Sequence, residues 1–162
     1  SMTKTKPCRV LMVCTGNICR SPSAEVVLRH MAGDAGLSDW ISVDSAGTAD
    51  WHTGESPSRL AVVAGQARGY DFTGVRARPL EAKDYQEFDL ILPMDEGHHA
   101  ILTKACPADA RNKIKMFLEM APQAGRVDVP DPYYGDITDY EYALDLIEMG
   151  CRGWINHLQE TA

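Results

Sequence analysis

The sequence predicts an α/β domain in which a four-stranded parallel sheet is covered by helices on both faces. Short apolar runs alternate with longer segments of helical periodicity, and each run ends near glycine, proline or a polar turn residue. An alternating order of four strands and four helices favours parallel strands joined by crossover helices. With 162 residues the chain can bury one core. We therefore predict a single three-layer domain over residues 1–162, with a polar, flexible N-terminus at residues 1–6.

The first strand is predicted at residues 10–13, a continuous apolar run typical of a buried parallel strand. Ser21 and Pro22 then suit the N-cap and the first position of a helix over residues 22–32. Its apolar residues recur at helical spacing: Ala24, Val27, Leu28 and Met31. Residues 41–44 alternate between apolar and polar and predict the second strand.

A second helix is expected to begin at Pro57 and to end near Gly69. Its predicted buried face consists of Leu60, Val63 and Ala67. Residues 88–92 predict the third strand, which ends before a proline, and residues 96–104 predict a short helix after it.

The alternating residues 113–117 predict the fourth strand. Residues 122–136 contain three prolines and two glycines and therefore predict a loop. The longest helix is predicted over residues 138–160. Its apolar stripe is Tyr142, Leu146, Met149, Trp154 and Leu158.

Composition excludes several classes of function. A net charge of −7 disfavours nucleic acid or an anionic membrane as the main partner. No run approaches the ~20 apolar residues of a membrane span, and the polar N-terminus is unlike a signal peptide, so we expect a cytoplasmic protein. The five cysteines follow no disulfide or zinc spacing. The adjacent His98 and His99 are expected to be solvated, and we expect neither a metal nor a cofactor.

The segment between the first strand and the first helix has the composition of a phosphate-binding loop. It consists of Cys14, Thr15, Gly16, Asn17, Ile18, Cys19, Arg20 and Ser21. Backbone N–H groups of a loop this long can surround an anion, and the helix N-terminus favours both a phosphate and a thiolate. Gly16 and Asn17 tolerate positive φ angles. Arg20 can bind two oxygens of the anion, and Cys14 is placed for in-line attack on phosphorus.

Cleavage of a phosphate ester also needs a proton donor for the leaving oxygen. Asp131 is the best candidate because it lies between two prolines that restrict the backbone. Tyr133 and Tyr134 provide flat surfaces for an aromatic leaving group. The segment by itself leaves a second interpretation open, an ordinary Asp-Pro turn with packing tyrosines. Asp136 competes for the acid role, but its place before a helix suits an N-cap.

Together, the loop at residues 14–21 and the segment Asp-Pro-Tyr-Tyr-Gly-Asp at residues 131–136 resemble the low-molecular-weight protein tyrosine phosphatases. The similarity extends from Arg9 onward and includes residues 44–48, Trp51 and residues 94–96. It implies a phosphatase that hydrolyses phosphotyrosine in proteins without a cofactor. Phosphate and other oxyanions are then expected as inhibitors.

The resemblance implies three catalytic residues. Cys14 is the nucleophile that forms a thiophosphate intermediate. Arg20 binds the phosphoryl oxygens and stabilises the transition state. Asp131 protonates the leaving group and then, as a carboxylate, activates the hydrolytic water.

It also implies a set of substrate-binding and loop-supporting residues: Thr15, Gly16, Asn17, Ile18, Cys19, Ser21, Ser45, Trp51, Tyr133 and Tyr134. Ser21 is expected to bond to the sulfur of the nucleophile, Asn17 and Ser45 to hold the loop, and the aromatic residues to form the rim. Cys19 resembles the second loop cysteine of the family, which forms a disulfide with the nucleophile under oxidation. Some members carry a histidine near residues 73–76, and this chain has none, so the contacts of Asn17 are expected to differ.

Three other functions are compatible with parts of the sequence. Arginine phosphatases of the same fold typically have threonine where this chain has Ile18, whose apolar side chain suits a phenol ring better. Arsenate reductases need further cysteines after the third strand, where Cys106 stands alone. A non-catalytic phosphotyrosine-binding module would lack the nucleophile or the acid, and both Cys14 and Asp131 are present.

Overall fold

A computed structural model describes residues 7–161, so the prediction of a flexible N-terminus at residues 1–6 lies outside the described residues. The strands are β1 (Cys8–Cys14), β2 (Ile41–Gly47) and β3 (Leu90–Pro93). The α-helices are α1 (Arg20–Asp34), α2 (Arg59–Ala67), α3 (Asp84–Glu87), α4 (Glu96–Ala105) and α5 (Ile137–Thr161). Three short 3₁₀ helices lie between α4 and α5, at Ala108–Lys113, Phe117–Met120 and Pro122–Ala124.

The sheet is parallel, as predicted, with the order β2–β1–β3. The prediction of a fourth strand at residues 113–117 is wrong, because the sheet formed by residues 7–161 has three strands. The 3₁₀ helices on either side occupy Lys113 and Phe117 and leave too few extended residues for a ladder. What remains is a single bridge between Ile114 and Ile91.

The central strand β1 contributes to the core on both faces of the sheet, because successive side chains point to opposite sides. Val10 and Met12 pack with residues of α1, α2 and α5. Leu11 and Val13 pack with Tyr85 of α3 and with Leu102 of α4. Helices therefore cover both faces, which explains why β1 is a continuous apolar run.

Two predicted helix faces differ from the observed ones. In α2, Val63 is exposed, and the buried residues are instead Ala61, Ala64 and Gly65. A side chain at position 65 would displace the Phe72 ring, because a Cβ there would lie 2.4 Å from it. In α5, Tyr142 and Met149 of the predicted stripe are exposed, whereas Leu146 and Trp154 are buried. Within residues 7–161 there is no helix that is both long enough and apolar enough to cross a membrane.

Candidate active site

The loop at residues 14–20 connects the carboxyl end of the central strand β1 to the N-terminus of α1. The helix begins at Arg20, earlier than predicted, with Cys19 at the N-cap position and no side-chain cap. Ser21 does not serve as the N-cap, because its hydroxyl is engaged in the loop: its Oγ lies 2.9 Å from Cys14 Sγ and accepts a 2.8 Å hydrogen bond from Asn17 Nδ2. Pro22 is still tolerated, since the first N–H groups of a helix have no intrahelical partner.

Asn17 determines the shape of the loop. It is the one non-glycine residue with positive φ among residues 7–161, with φ of 57°. Its side chain donates to Ser45 Oγ at 2.9 Å and to Ser21 Oγ, and its Oδ1 accepts from the backbone N–H of Arg78 at 3.0 Å. These three hydrogen bonds compensate for a conformation that costs a non-glycine residue free energy.

Gly16 does not adopt a positive φ, so the loop does not use the tolerance for positive φ that glycine offers at this position. Its small size serves packing instead. A Cβ at this position would lie 2.9 Å from Cδ2 of His52. A side chain at position 16 would therefore displace the His52 ring.

A buried charge lies behind Ser45. The Ser45 hydroxyl donates to Glu25 Oε1 at 2.6 Å, and Glu25 is buried and paired with Arg29 at 2.5 Å. A buried carboxylate requires such partners, so the contacts with Ser45 and Arg29 explain how the Glu25 carboxylate can be buried beneath the loop. Neither residue was predicted from the sequence, although their spacing of four along α1 is that of a helical ion pair.

The guanidinium of Arg20 is buried and oriented from one side. Its Nη1 donates to Asp95 Oδ2 at 2.8 Å and to the carbonyl oxygen of Val129 at 3.0 Å. Burial by itself would raise the pKa of Asp95, but the backbone N–H of His98 and the Arg20 guanidinium stabilise the carboxylate and bring that pKa below its usual value. Asp95 is therefore an anionic anchor for Arg20.

Asp131 lies on the other side of Arg20. Its Oδ2 is 3.5 Å from Arg20 Nη2, and its Oδ1 accepts a 3.1 Å hydrogen bond from the backbone N–H of Tyr133. The side chain is half exposed. Asp136 accepts hydrogen bonds from the backbone N–H groups of Thr138 and Asp139 at the start of α5, as an N-cap does.

These residues surround a cleft of about 270 Å³. Its lining consists of Cys14, Thr15, Gly16, Ile18, Cys19, Arg20, Trp51, His52, Asp131, Tyr133 and Tyr134. Of the residues predicted to bind substrate, Asn17, Ser21 and Ser45 do not line the cleft and lie buried beneath the loop. His52 was missed; its Nδ1 lies 3.0 Å from Glu55 Oε2. Trp51 and Tyr134 are strongly exposed, so the rim of the cleft is aromatic and open to solvent.

Cys19 lines the cleft but is oriented by groups behind it. Its Sγ lies 3.4 Å from Ser58 Oγ and 3.5 Å from the Tyr140 hydroxyl. Burial raises the pKa of this thiol. Cys14 and Cys19 are both free thiols.

His98 contradicts the prediction of a solvated side chain. It is 4% exposed, and its Nε2 lies 2.7 Å from the hydroxyl of Thr15. Burial, which outweighs the attraction of Asp95, lowers the pKa of His98 to about 4. Residues 7–161 contain no group of three or more histidine, cysteine or acidic side chains arranged to hold a metal ion.

The neutral His98 predicts a pH-dependent stability. The unfolded chain takes up a proton near pH 6.5, whereas the folded chain takes it up only near pH 4, so the free energy of unfolding falls as the pH drops between these values. At pH 5 the loss from this group is about 2 kcal/mol. In urea unfolding, the free energy of unfolding should differ less between pH 7 and pH 5 for His98→Leu than for the parent. A His99→Leu control that shows the same reduction would contradict the assignment.

The fold and the site together define a phosphoric monoester hydrolase, with a thiol and an arginine on one loop at the carboxyl end of a parallel strand and an aspartate across the cleft. Residues 9–162 match the family described as low molecular weight phosphotyrosine protein phosphatase. The chain belongs to this family and is a protein-tyrosine phosphatase.

Individual relatives agree with the family match. A low molecular weight protein-tyrosine-phosphatase of Streptomyces coelicolor is 38% identical over 157 residues, which cover 94% of each chain. The structure of a protein tyrosine phosphatase from Entamoeba histolytica, with Hepes in its active site, superposes with a TM-score of 0.92 at 33% identity and covers 95% of this chain and 98% of its own. Vibrio vulnificus Wzb in complex with benzylphosphonate is 29% identical with a TM-score of 0.81, over 93% of this chain and 98% of its own.

Proposed function

We propose that this chain hydrolyses phosphotyrosine in proteins in two steps, through a cysteinyl-phosphate intermediate on Cys14. The proposal rests on one observation, that three groups with different chemical functions line the same cleft. Cys14 Sγ lies in the loop, and Arg20 reaches within 3.5 Å of the Asp131 carboxylate. A nucleophile, a fixed cation and a candidate proton donor thus face the same space.

In the first step, Cys14 Sγ attacks phosphorus and the bond between phosphorus and the tyrosyl oxygen breaks. Asp131 transfers its proton to that oxygen, so the tyrosine leaves as a neutral phenol. In the second step, the Asp131 carboxylate takes a proton from water as the water oxygen attacks phosphorus. The S–P bond breaks, and its electron pair returns to sulfur. The Ser21 hydroxyl, 2.9 Å from Cys14 Sγ, stabilises the departing thiolate.

Arg20 is proposed to bind the equatorial oxygens of the phosphoryl group in both steps. Its Nη1 is bonded to Asp95 and Val129 before substrate arrives, which fixes the plane of the guanidinium. Charge that develops on the oxygens therefore meets an oriented donor, and no reorganisation is required at the moment of reaction. Inorganic phosphate and similar oxyanions are expected to occupy the same loop and to inhibit competitively.

The cleft wall supports an aromatic substrate. Ile18 presents an apolar side chain to the cleft, and Trp51 and Tyr133 flank its mouth. Tyr133 and Tyr134 meet edge to face at 4.8 Å between ring centroids, which gives the rim a defined apolar surface. The benzyl group of the phosphonate bound by Vibrio vulnificus Wzb has the same aromatic character.

Phosphate release from a phosphotyrosine peptide and a phosphoarginine peptide tests this specificity. We expect phosphotyrosine to be cleaved at least ~10-fold more efficiently, because a phenol ring buries apolar surface against Ile18 that a guanidinium cannot use. An Ile18→Thr variant should lower the ratio of kcat/KM for the phosphotyrosine peptide to kcat/KM for the phosphoarginine peptide. A preference for phosphoarginine in the parent would leave the reaction chemistry intact but overturn the assigned substrate.

A further inference from the structure

Among the buried groups that the reaction scheme does not use, His98 has the most direct connection to the phosphate-binding loop. It lies in the first turn of α4, on the strand β3 side of the site, while Thr15 follows the nucleophile directly. The 2.7 Å contact between His98 Nε2 and Thr15 Oγ1 is the one hydrogen bond of the Thr15 hydroxyl within the described part of the chain. The histidine thus determines how that hydroxyl is oriented.

The surrounding charges determine the tautomer of His98. Its Nδ1 lies 3.1 Å from Asp95 Oδ1, although the alignment is too poor for a hydrogen bond. A bare nitrogen lone pair facing a carboxylate oxygen would be repelled, so the proton belongs on Nδ1. Nε2 is then the acceptor, and the Thr15 hydroxyl donates to it. The lowered pKa of His98, about 4, leaves the ring neutral at physiological pH.

A neutral His98 also preserves the anchor of Arg20. Asp95 accepts from the backbone N–H of His98 with Oδ1 and from Arg20 Nη1 with Oδ2. The charged groups around the ring are Asp95, Arg20, Asp131 and Asp128. An imidazolium here would compete with Arg20 for Asp95, whereas a neutral ring leaves the carboxylate committed to the arginine. One carboxylate thus contacts both His98, the residue that bonds to Thr15, and the guanidinium of Arg20.

We propose that His98 is a positioning residue of this phosphatase: through its Nε2 it holds the Thr15 hydroxyl and so keeps the first turn of the loop in its phosphate-binding shape. The proposal rests on the phosphatase site proposed above. The hydrogen bond between His98 and Thr15 stabilises the binding of the phosphoryl group in the ground state and in the transition state alike. Its loss therefore raises KM and the Kd for inorganic phosphate more than it lowers kcat.

Three substitutions at position 98 separate the two ring nitrogens. The amide of glutamine reaches the place of Nε2, that of asparagine reaches only the place of Nδ1, and leucine provides neither. We expect His98→Leu and His98→Asn to raise KM for a phosphotyrosine peptide about three- to tenfold, the effect of one lost hydrogen bond, and His98→Gln to stay within about twofold of the parent. His99→Leu is the matched control and should leave KM unchanged, because the His99 ring makes no hydrogen bond or ion pair among residues 7–161.

Thr15→Val removes the other partner of the bond and keeps the shape of the side chain. If the contact acts as proposed, Thr15→Val raises KM as much as His98→Leu does, and the double variant is no worse than either single one. Additive effects in the double variant, or equal losses for His98→Gln and His98→Leu, would overturn the proposal. Thermal unfolding of each variant identifies any that fails to fold, and the glutamine–asparagine comparison then stands in for the leucine variant.

The affinity for inorganic phosphate tests the role of His98 without relying on the proposed mechanism. Calorimetric titration of inorganic phosphate into Cys14→Ser, with and without His98→Leu, reports the loop without any turnover. A weaker Kd in the double variant supports the role of His98 even if Cys14 proves not to be the nucleophile. An unchanged Kd overturns the role of His98 even if Cys14→Ser is inactive as expected.

Discussion

Replacing Cys14 with serine is expected to abolish phosphotyrosine hydrolysis, with a fall in kcat of at least ~10⁴-fold. A serine hydroxyl has nearly the same size, but it is a far weaker nucleophile than a thiolate and has no general base beside it. The Ser21 hydroxyl, which lies 2.9 Å from Cys14 Sγ, can offer the new serine a hydrogen bond, but it is not a general base. Steady-state turnover of a phosphotyrosine peptide measures the loss directly.

The same variant should still bind inorganic phosphate, because Arg20 and the backbone of the loop are unchanged. Cys8→Ser is the control, since Cys8 lies at the opposite end of β1 from the loop and outside the cleft. Burial, together with Asp89, raises the pKa of the Cys8 thiol to about 11, so it is not a thiolate at neutral pH. Substantial residual turnover in Cys14→Ser, or a comparable loss in Cys8→Ser, would remove Cys14 from the role of nucleophile.

Replacing Asp131 with asparagine is expected to reduce kcat for phosphotyrosine by ~10²–10⁴-fold, the usual contribution of a positioned proton donor. The loss should depend on the leaving group. Phenolate is a poor leaving group, since the phenol of tyrosine has a pKa near 10, whereas p-nitrophenolate is more stable and needs less protonation. We therefore expect a much smaller loss on p-nitrophenyl phosphate than on a phosphotyrosine peptide.

Asp136→Asn is the matched control for this comparison. Asp136 lies in the same segment and accepts hydrogen bonds from the N-terminus of α5, a role that asparagine fills about as well. Its kcat should therefore remain close to that of the parent on both substrates. If the loss in Asp131→Asn is the same for both leaving groups, the residue acts on the phosphoryl group or the loop and not as the acid.

Much of the fold was predictable from local pattern. The buried strand β1 could be recognised from its continuous apolar run, and α5 was placed within one residue at each end. The failures occurred where tertiary contacts outweigh local preference. Residues 113–117 alternate like a strand, but the 3₁₀ helices beside them leave only one bridge to the sheet. Ser21 has the features of an N-cap, but its hydroxyl is used by Asn17 and Cys14 instead.

The polar network that supports the site was less predictable, because it joins residues far apart in sequence. His98 is 83 residues from Thr15, and Arg78 is 61 residues from Asn17. Nothing in the pair His98-His99 indicates which ring is buried, since adjacent residues on a helix point in different directions. The burial of Glu25 likewise depends on Ser45 of the neighbouring strand β2.

The sequence by itself determined the family, the loop that joins β1 to α1 and the chemical types of its side chains, because these depend on residues close together in the chain. Only the tertiary structure decided which groups orient the side chains of the loop. Parallel strands bring the ends of β1, β2 and β3 to one edge, and three separate segments meet the loop there: Ser45 of β2, Asp95 and His98 at the start of α4, and Asp131 before α5. Such contacts follow from packing and burial, for which a local sequence pattern carries no signal.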